Sequence, residues 1–276
     1  MTKQGLITDK LLEIRRKIKV EKPLIHCITN PISINDCANM VLATGGKPIM
    51  AQHPLEVGEI TRTSKALGVN LGNITDIRME SMMISGKTAY ENKIPQAIDI
   101  VGVGCSKLRL NYAREFITQC RPNVIKGNVS EIKALWGIEN NAKGIDVGAS
   151  DIITKENYKE NIEILKSLSL KTNAIIVATG KIDIITDGVK TYLVSNGCEM
   201  LSMITGTGCM LNVLIASYIS SGSILEGTIL AVVLMGICGE LSKDAKGTGS
   251  FRTELLDNMY SISPDTIKEK IKYKLI

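Results

Sequence analysis

The chain alternates short apolar runs with segments whose apolar residues recur at helical spacing, and this alternation constrains its fold most strongly. Residues 24–29 and 67–71 are such runs, and residues 76–92 are such a helical segment. Short apolar runs predict buried strands, and the amphipathic segments between them predict crossover helices. Strands and helices in alternation build a parallel sheet covered by helices. The sequence therefore predicts one doubly wound α/β domain, with its chemistry at the carboxyl ends of the strands.

The same pattern places the individual elements. Strands are expected at residues 24–29, 48–51, 67–71, 96–101, 124–125, 174–178, 181–185 and 189–194, the last two forming a hairpin around Asp187-Gly188. Helices are expected at residues 8–18, 33–43, 54–66, 76–92, 129–136, 155–168, 209–220, 224–241 and 263–274. Ser33 is expected to cap its helix, with Asp36 as an acidic residue in the first turn. The polar segment 140–150 predicts a surface loop.

Composition and charge exclude several classes of protein. The 276 residues are 44% hydrophobic, which is enough for a sizeable core. Aromatic residues make up only 4%, which argues against nucleic-acid modules that stack bases on aromatic rings. The net charge of +5 is mild and is not concentrated in a basic block, so it suits a small anionic ligand. Residues 211–219 and 229–238 are the longest apolar stretches and are too short to span a bilayer.

The cysteines and the first residues predict a cytoplasmic location. The seven cysteines are scattered without any Cys-x-x-Cys motif, which predicts reduced thiols rather than a zinc or redox site. Residues 1–22 are charged and helical in pattern, which predicts no signal peptide.

The sharpest local motif is Thr205-Gly-Thr-Gly-Cys209, immediately before an apolar helix. Its glycines let backbone N–H groups converge, and the helix N-terminus adds partial positive charge. The motif predicts an anion hole formed by Gly206, Thr207, Gly208 and Cys209, although an ordinary tight turn would give the same letters. A thiol at Cys209 is expected to have a lowered pKa and to be reactive. The alternative for Cys209 is a small buried residue.

Two carboxylates and two other polar residues stand near strand ends. Asp99 interrupts an apolar strand, where it either meets Mg²⁺ and ligand phosphates or is a satisfied structural residue. Glu131 either completes a capping box begun by Asn128 or supplies a second carboxylate near the metal. Lys126 is placed to meet phosphate oxygens, unless it is solvated. Thr179, before Gly180, suits a nucleotide phosphate or a simple turn.

Five segments match one known family in order and at the expected spacing. They are Cys27-Ile-Thr-Asn30, Lys47-Pro-Ile-Met50-Ala51, Ile125-Lys-Gly-Asn128-Val-Ser-Glu131, Ile204-Thr-Gly-Thr-Gly-Cys209-Met210, and Gly249-Ser-Phe-Arg252 with Glu254-Leu-Leu-Asp257. Together they resemble the hydroxyethylthiazole kinase family, and the resemblance runs from about residue 24 to residue 257. It implies a ribokinase-like α/β fold, mostly parallel with helices on both faces, as a single kinase domain over residues 1–276 without a separate lid.

The resemblance also implies a reaction. ATP would phosphorylate the primary alcohol of 4-methyl-5-(2-hydroxyethyl)thiazole, with Mg²⁺ as cofactor, for thiamin biosynthesis or salvage. Such a kinase would act as a homotrimer with active sites at subunit interfaces, and would need neither nucleic acid nor membrane. Two alternatives stay open: a kinase of the same fold acting on another alcohol, such as hydroxymethylpyrimidine, and a non-catalytic nucleotide or thiazole sensor.

Residue roles follow from the matching positions. The resemblance implies that Met50, Asn30 and Gly206 bind the thiazole. It implies that Lys126 and Thr179 bind ATP. It implies that Asp99 and Glu131 steer the metal, and that Cys209 is either a catalytic base or part of the anion hole.

The chain departs from the family pattern at four places. Ile100 stands where the family usually has proline, and Lys126 stands where it usually has arginine. The family has histidine at Cys198 and proline at Thr248. Because lysine cannot contact a phosphate with two parallel hydrogen bonds, we expect weaker ATP binding.

Overall fold

The computed structural model describes residues 3–137 and 158–276. The strands within those ranges are β1 (Leu24–Ile28), β2 (Lys47–Ile49), β3 (Ala66–Asn70), β4 (Gln96–Asp99), β5 (Val124–Asn128), β6 (Ile175–Thr179), β7 (Asp183–Thr186), β8 (Thr191–Val194) and β9 (Tyr273–Leu275). They form one sheet in the order β2-β1-β3-β4-β5-β6-β7-β8-β9. The pairings from β2 to β6 are parallel, and those from β6 to β9 are antiparallel.

Helices cover both faces of this sheet. They are α1 (Lys3–Glu21), α2 (Ile34–Thr44), α3 (Pro54–Thr63), α4 (Asp76–Glu91), α5 (Lys107–Cys120), α6 (Val129–Trp136), α7 (Tyr158–Thr172), α8 (Thr207–Ile219), α9 (Ile224–Leu241), α10 (Thr248–Ser261) and α11 (Pro264–Lys270). One hydrophobic cluster packs one face of the sheet against helices α1, α2, α8, α9, α10 and α11. A second cluster packs the other face against helices α3, α4, α5, α6 and α7. The predicted fold class, a mostly parallel sheet with helices on both faces, is confirmed.

The alternation of side chains along each strand explains the two clusters. In β1, Ile25 and Cys27 point to the α8 face, whereas Ile28 belongs to the α4 face. A strand buried on both faces is apolar at nearly every position, which is why these runs were visible in the sequence.

The central pair of helices, α8 and α9, packs unusually closely. A Cβ atom at Gly227 would lie 2.8 Å from the backbone of Tyr218 near the end of α8, so only glycine fits at this crossing. By length and hydropathy α9 could cross a membrane, but 72% of it is buried. Both apolar helices are therefore core helices, as predicted, and α9 has the predicted bounds.

The prediction was wrong at the carboxyl-terminal segment. The helix expected over residues 263–274 is α11 followed by β9. Ser263 accepts a hydrogen bond from the Thr266 amide and Pro264 starts the helix, so the predicted start of the helix is correct. Beyond Lys270 the chain instead pairs with β8, where the Tyr273 ring lies beside the Tyr192 ring and covers the open sheet edge.

The sequence did not predict two of the helices, α5 and α10. Ser33 stands at the start of α2 but caps no amide, and Asp36 instead forms an ion pair with Arg252 at 2.5 Å. The predicted loop 140–150 and the start of the predicted helix 155–168 lie outside the described residues. That residues 1–276 form one domain stays a prediction.

Candidate active site

Three polar residues lie side by side where three neighbouring strands end. Asn70 ends β3, Asp99 ends β4, and Lys126 lies in β5. The strand register places Asn70 opposite Asp99, and Asp99 opposite Lys126. All three side chains are buried, although such residues are rarely buried unless they are paired. This row forms the centre of the candidate site, at the edge of the sheet where α/β proteins bind ligands.

Lys126 and Asp99 form a buried ion pair. Nζ of Lys126 lies 2.8 Å from Oδ2 of Asp99, and the same Nζ donates to the carbonyl oxygen of Gly208 at 3.2 Å. Burial lowers the pKa of Lys126, but the charge of Asp99 and their hydrogen bond raise that pKa by more, so the ammonium stays protonated. The alternative that Lys126 is solvated is therefore wrong.

The amino end of α8 faces this pair. Met210 N–H donates to Gly206 O in the first turn, so the amides of residues 207–209 have no partner inside the helix. Gly206 has φ of +96°, and a Cβ there would lie 2.7 Å from Cβ of Ser33. The Thr207 hydroxyl donates to Leu201 O at 2.8 Å, so Thr207 can offer an anion only its backbone amide. The predicted turn of glycines is thus a helix start that could hold an anion.

Cys209 lies in the first turn of α8, next to the ion pair. Its thiol is buried, and Asn70 Nδ2 approaches Sγ at 3.4 Å. The expectation of a lowered pKa is wrong: burial, and then the charge of Asp99, raise the pKa of Cys209. Hydrogen bonds from Ser33 and Asn70 and the charge of Lys126 only partly oppose these effects. Desolvation therefore outweighs the field of the helix at this sulfur atom.

Glu131 is tied to the backbone by both oxygen atoms. Asn128 and Glu131 form the predicted capping box, with the Asn128 amide donating to Oε2 at 2.7 Å. Oε1 accepts from the Gly102 amide at 2.7 Å. Burial, followed by the charge of Asp99, raises the pKa of Glu131 to about 7. The capping interpretation is confirmed, and it leaves each oxygen one lone pair for a further contact.

The carboxylates of Asp99 and Glu131 could bind a divalent cation of the kind that takes only one or two ligands from the protein. Oδ1 of Asp99 is buried and has no hydrogen-bond partner of normal geometry among the described residues. Within those same residues, no three His, Cys, Asp or Glu side chains gather into a ready-made metal centre. Mg²⁺ is commonly held by one or two carboxylates together with water and substrate phosphates, and Asp99 with Glu131 matches that pattern.

The other predicted residues lie on either side of this centre. Thr179 ends β6, where its hydroxyl donates to Gly127 O at 3.3 Å. Asn30 follows β1, and its Oδ1 accepts from Asn73 Nδ2 at 3.0 Å. Met50 follows β2 and is half-buried. Because β1 and β6 are four strand spacings apart, these two strands lie about 19 Å apart across the sheet. The edge therefore has room for two ligands with the ion pair between them.

Two departures from the family pattern are coupled through one hydrogen bond. The Ile100 amide donates to the carbonyl oxygen of Lys126 at 2.9 Å. A proline at residue 100 has no N–H and could not form this bond. Ile100 thus adds a backbone link to the strand that carries Lys126.

Sequence reasoning missed Asn70, which links the predicted residues. Its Nδ2 donates to Oδ2 of Asp99 at 2.9 Å and approaches the Cys209 sulfur, and its Oδ1 accepts from the Gly72 amide at 2.7 Å. The signal was a polar residue inside the apolar run 67–71, the same signal that singled out Asp99. Ser33 was considered only as a helix cap, although it contacts the thiol of Cys209.

The sequence matches one family over most of its length. Residues 15–265 match the model of the hydroxyethylthiazole kinase family. The chain is similar to hydroxyethylthiazole kinase 2 of Clostridium botulinum (strain Hall), with 72% identity over 261 residues that cover 95% of this chain and 98% of that protein.

The structure gives the same result. It is similar to a hydroxyethylthiazole kinase from Pyrococcus horikoshii, with a TM-score of 0.87 and 30% identity over 97% of this chain and 99% of that chain. It is also similar to a ribokinase-like superfamily protein from Enterococcus faecalis, with a TM-score of 0.59 and 13% identity over 91% of this chain and 89% of that chain. At that identity the second likeness shows the fold alone, and the predicted ribokinase-like fold is confirmed.

Replacing Lys126 by methionine would leave Asp99 buried without its cation. Removing one partner of a buried ion pair costs about 3–5 kcal/mol of the free energy of unfolding. We expect Lys126→Met to lose stability in that range in urea denaturation at pH 7 without nucleotide.

The double variant Lys126→Met/Asp99→Asn serves as the control, because it removes both charges. It should be more stable than Lys126→Met alone. Equal losses in the two variants would mean that the unpaired carboxylate is not the cause.

Proposed function

Because the chain belongs to the hydroxyethylthiazole kinase family, we propose that this sheet edge transfers the γ-phosphoryl group of ATP to 4-methyl-5-(2-hydroxyethyl)thiazole. The product is the thiazole phosphate used in thiamin biosynthesis or salvage. One observation of geometry carries the assignment of the site: the buried Lys126–Asp99 pair meets the amino end of α8 at Gly208. A cation, a carboxylate and free amides at one point suit a transferring phosphoryl group.

The two substrates approach from opposite sides of this point. Asn30, Met50 and Gly206 bind the thiazole, on the side of β1 and β2, and Met50 contacts it through its backbone. Lys126 and Thr179 bind ATP, on the side of β5 and β6. The separation of about 19 Å between β1, which precedes Asn30, and β6, which ends at Thr179, supports this arrangement, since it spans an extended pair of ligands rather than one.

The carboxylates hold Mg²⁺ at the phosphates. Bound there, the cation neutralises the charge that two negatively charged phosphate groups bring to a buried site. The free Oδ1 of Asp99 supports its role as a direct ligand. Glu131 keeps its two backbone bonds, and the remaining lone pair on each of its oxygens would be available to the cation or to its bound water. Lys126, whose Nζ lies 2.8 Å from Oδ2 of Asp99 and 3.2 Å from the Gly208 carbonyl oxygen, would contact the phosphate oxygens from there.

The amides of residues 207–209 stabilise the phosphoryl group in the transition state of its transfer. The alcohol oxygen bonds to the γ-phosphorus, the bond to the bridging oxygen of ADP breaks, and the alcohol proton passes either to a base or to the transferred phosphoryl group. Cys209 is either the base that takes this proton or a lining residue of the anion hole. Its raised pKa favours the lining role, whereas the hydrogen bonds from Asn70 and Ser33 favour a thiolate.

We also propose a cytoplasmic homotrimer with sites at the subunit boundaries. Its seven cysteines are all free, which suits a reducing compartment. Three large apolar side chains are strongly exposed in the segments that follow β1, β2 and β3. They are Ile32 (67%), Leu55 (91%) and Ile77 (60%). Apolar residues exposed together beside a binding pocket are typical of a surface that another subunit covers.

The reaction is tested by coupled ADP release with Mg-ATP. We expect ADP with 4-methyl-5-(2-hydroxyethyl)thiazole, and only background with hydroxymethylpyrimidine or with no alcohol. We expect this selectivity because Met50, Asn30 and Gly206 match the positions that bind the thiazole in the family.

Two outcomes would contradict the proposal. Faster ADP release with hydroxymethylpyrimidine would identify a kinase of another alcohol. No ADP with any alcohol, from protein that still binds ATP, would identify a sensor.

Cys209 is tested by two substitutions. If Cys209 is the base, Cys209→Ala should lower kcat about 10²–10⁴-fold while ATP binding persists. Cys209→Asp should then retain activity, because a carboxylate at that position can accept the proton. Near-normal turnover of Cys209→Ala would exclude a catalytic base and leave only the lining role.

The homotrimer is tested by sedimentation. We expect the wild-type chain to sediment at about three times its monomer mass, and Leu55→Lys to shift it towards monomer because a lysine charge would be buried at the boundary. Val189→Lys is the matched control, since Val189 is also exposed but lies in the β7–β8 turn. A wild-type monomer would contradict the proposal.

A further inference from the structure

His26 is a buried polar residue that the mechanism leaves without a role. It lies in β1 between the apolar residues Ile25 and Cys27, and its side chain has no exposed surface. A ring with two nitrogen atoms is buried only at a cost unless both find partners. Nδ1 lies 2.8 Å from the Thr61 hydroxyl, and Nε2 lies 2.9 Å from the carbonyl oxygen of Ala51.

These partners fix the ring in one tautomer. The Ala51 carbonyl can only accept, so Nε2 must carry the hydrogen atom. The Thr61 hydroxyl lies 2.8 Å from Nδ1 and 2.7 Å from the Val57 carbonyl oxygen; its single hydrogen atom can serve only one of them, and a neutral ring accepts it at Nδ1. Burial lowers the pKa of His26, which is consistent with a neutral imidazole.

The bond to Ala51 acts on the segment that carries Met50. The β1–β2 ladder ends where His26 pairs with Ile49, so residues 50–53 lie beyond the ladder. His26 reaches past this end and holds Ala51 by its carbonyl oxygen. From the other side, the Ser81 hydroxyl of α4 donates to the Gln52 carbonyl oxygen at 2.8 Å. Two buried side chains therefore clamp a short connection that no strand pairing supports.

We propose that His26 is a positioning residue for the thiazole pocket, which it shapes by fixing the backbone of Met50 and Ala51. This inference rests on the proposed function, in which Met50 contacts the thiazole through its backbone. A backbone contact cannot be adjusted by a side-chain rotamer, so its accuracy depends on what holds the main chain. A misplacement of about 1 Å in such a contact can cost about 10²-fold in rate.

Two substitutions separate the two bonds of the ring. Glutamine can place its amide N–H near the position of Nε2 and keep the bond to Ala51, while losing Thr61. Asparagine can place its amide near Nδ1 and keep Thr61, while losing Ala51. The two variants remove one hydrogen bond each, so they serve as each other's control for stability.

The experiment is steady-state kinetics with the thiazole and ATP varied separately, alongside calorimetric binding of the thiazole alone. We expect His26→Asn to raise KM for the thiazole, and its dissociation constant, about tenfold or more, with KM for ATP changed less than about twofold. His26→Gln should recover most of this loss. Ser81→Ala, which frees the other side of the segment, should also raise KM for the thiazole and spare KM for ATP.

The failures can be told apart. Equal effects of the Asn and Gln variants, or parallel changes in both KM values, would mean that His26 only supports the fold. If Ser81→Ala left both KM values unchanged, the clamp would be refuted even if the His26 variants failed to fold. A wild-type chain that neither binds nor phosphorylates the thiazole would instead overturn the proposed function itself.

Discussion

The buried contact between Lys126 and Asp99 is the interaction on which the rest of the site depends. Two charges removed from water lose hydration energy that their mutual attraction alone seldom restores, so further hydrogen bonds are needed. Asn70 donates one to the carboxylate, and the carbonyl oxygen of Gly208 accepts one from the ammonium. Glycine at residue 208 also lets α8 come close to the pair, because a Cβ atom there would lie 3.0 Å from Nζ. The charge pair thus fixes how near the helix comes to the sheet.

The sequence predicted the strands and helices correctly where the pattern of apolar residues fitted only one of the two kinds of element. Strands buried on both faces gave clear apolar runs, and the glycines after α2 marked its end. The carboxyl-terminal strand β9 was missed because its short apolar sequence also fits the end of an amphipathic helix. Only the free edge of β8 selects the extended form, and that edge is a property of the assembled sheet. Helix α5 was missed because most of its surface is polar and its buried face is small.

The sequence predicted most of the residues that form the candidate site, but not the protonation state of each of them. The polar residues at strand ends indicated where Asp99, Lys126, Glu131 and Cys209 would gather, since parallel strands bring their ends together. The state of each group depends on burial and on neighbours distant in sequence. Burial raises the pKa of Cys209 against the helix field, and no local motif could have shown this. The side-chain amide of Asn70 in β3 contacts Asp99 in β4 and Cys209 in α8. These partners are distant in sequence, so no local motif could have shown these contacts either.

Helix α8 also gives the site a mechanical property. It is a rigid rod of 13 residues, about 20 Å long, with Gly206 and the free amides at one end and the Gly227 crossing at the other. A tilt of about 3° around that crossing would move the amides by about 1 Å, which is enough to spoil a phosphoryl contact. The tight crossing of α8 and α9, far from any substrate, therefore helps to position the amides for the reaction. A change in core packing at this crossing would first be detected as a loss of turnover.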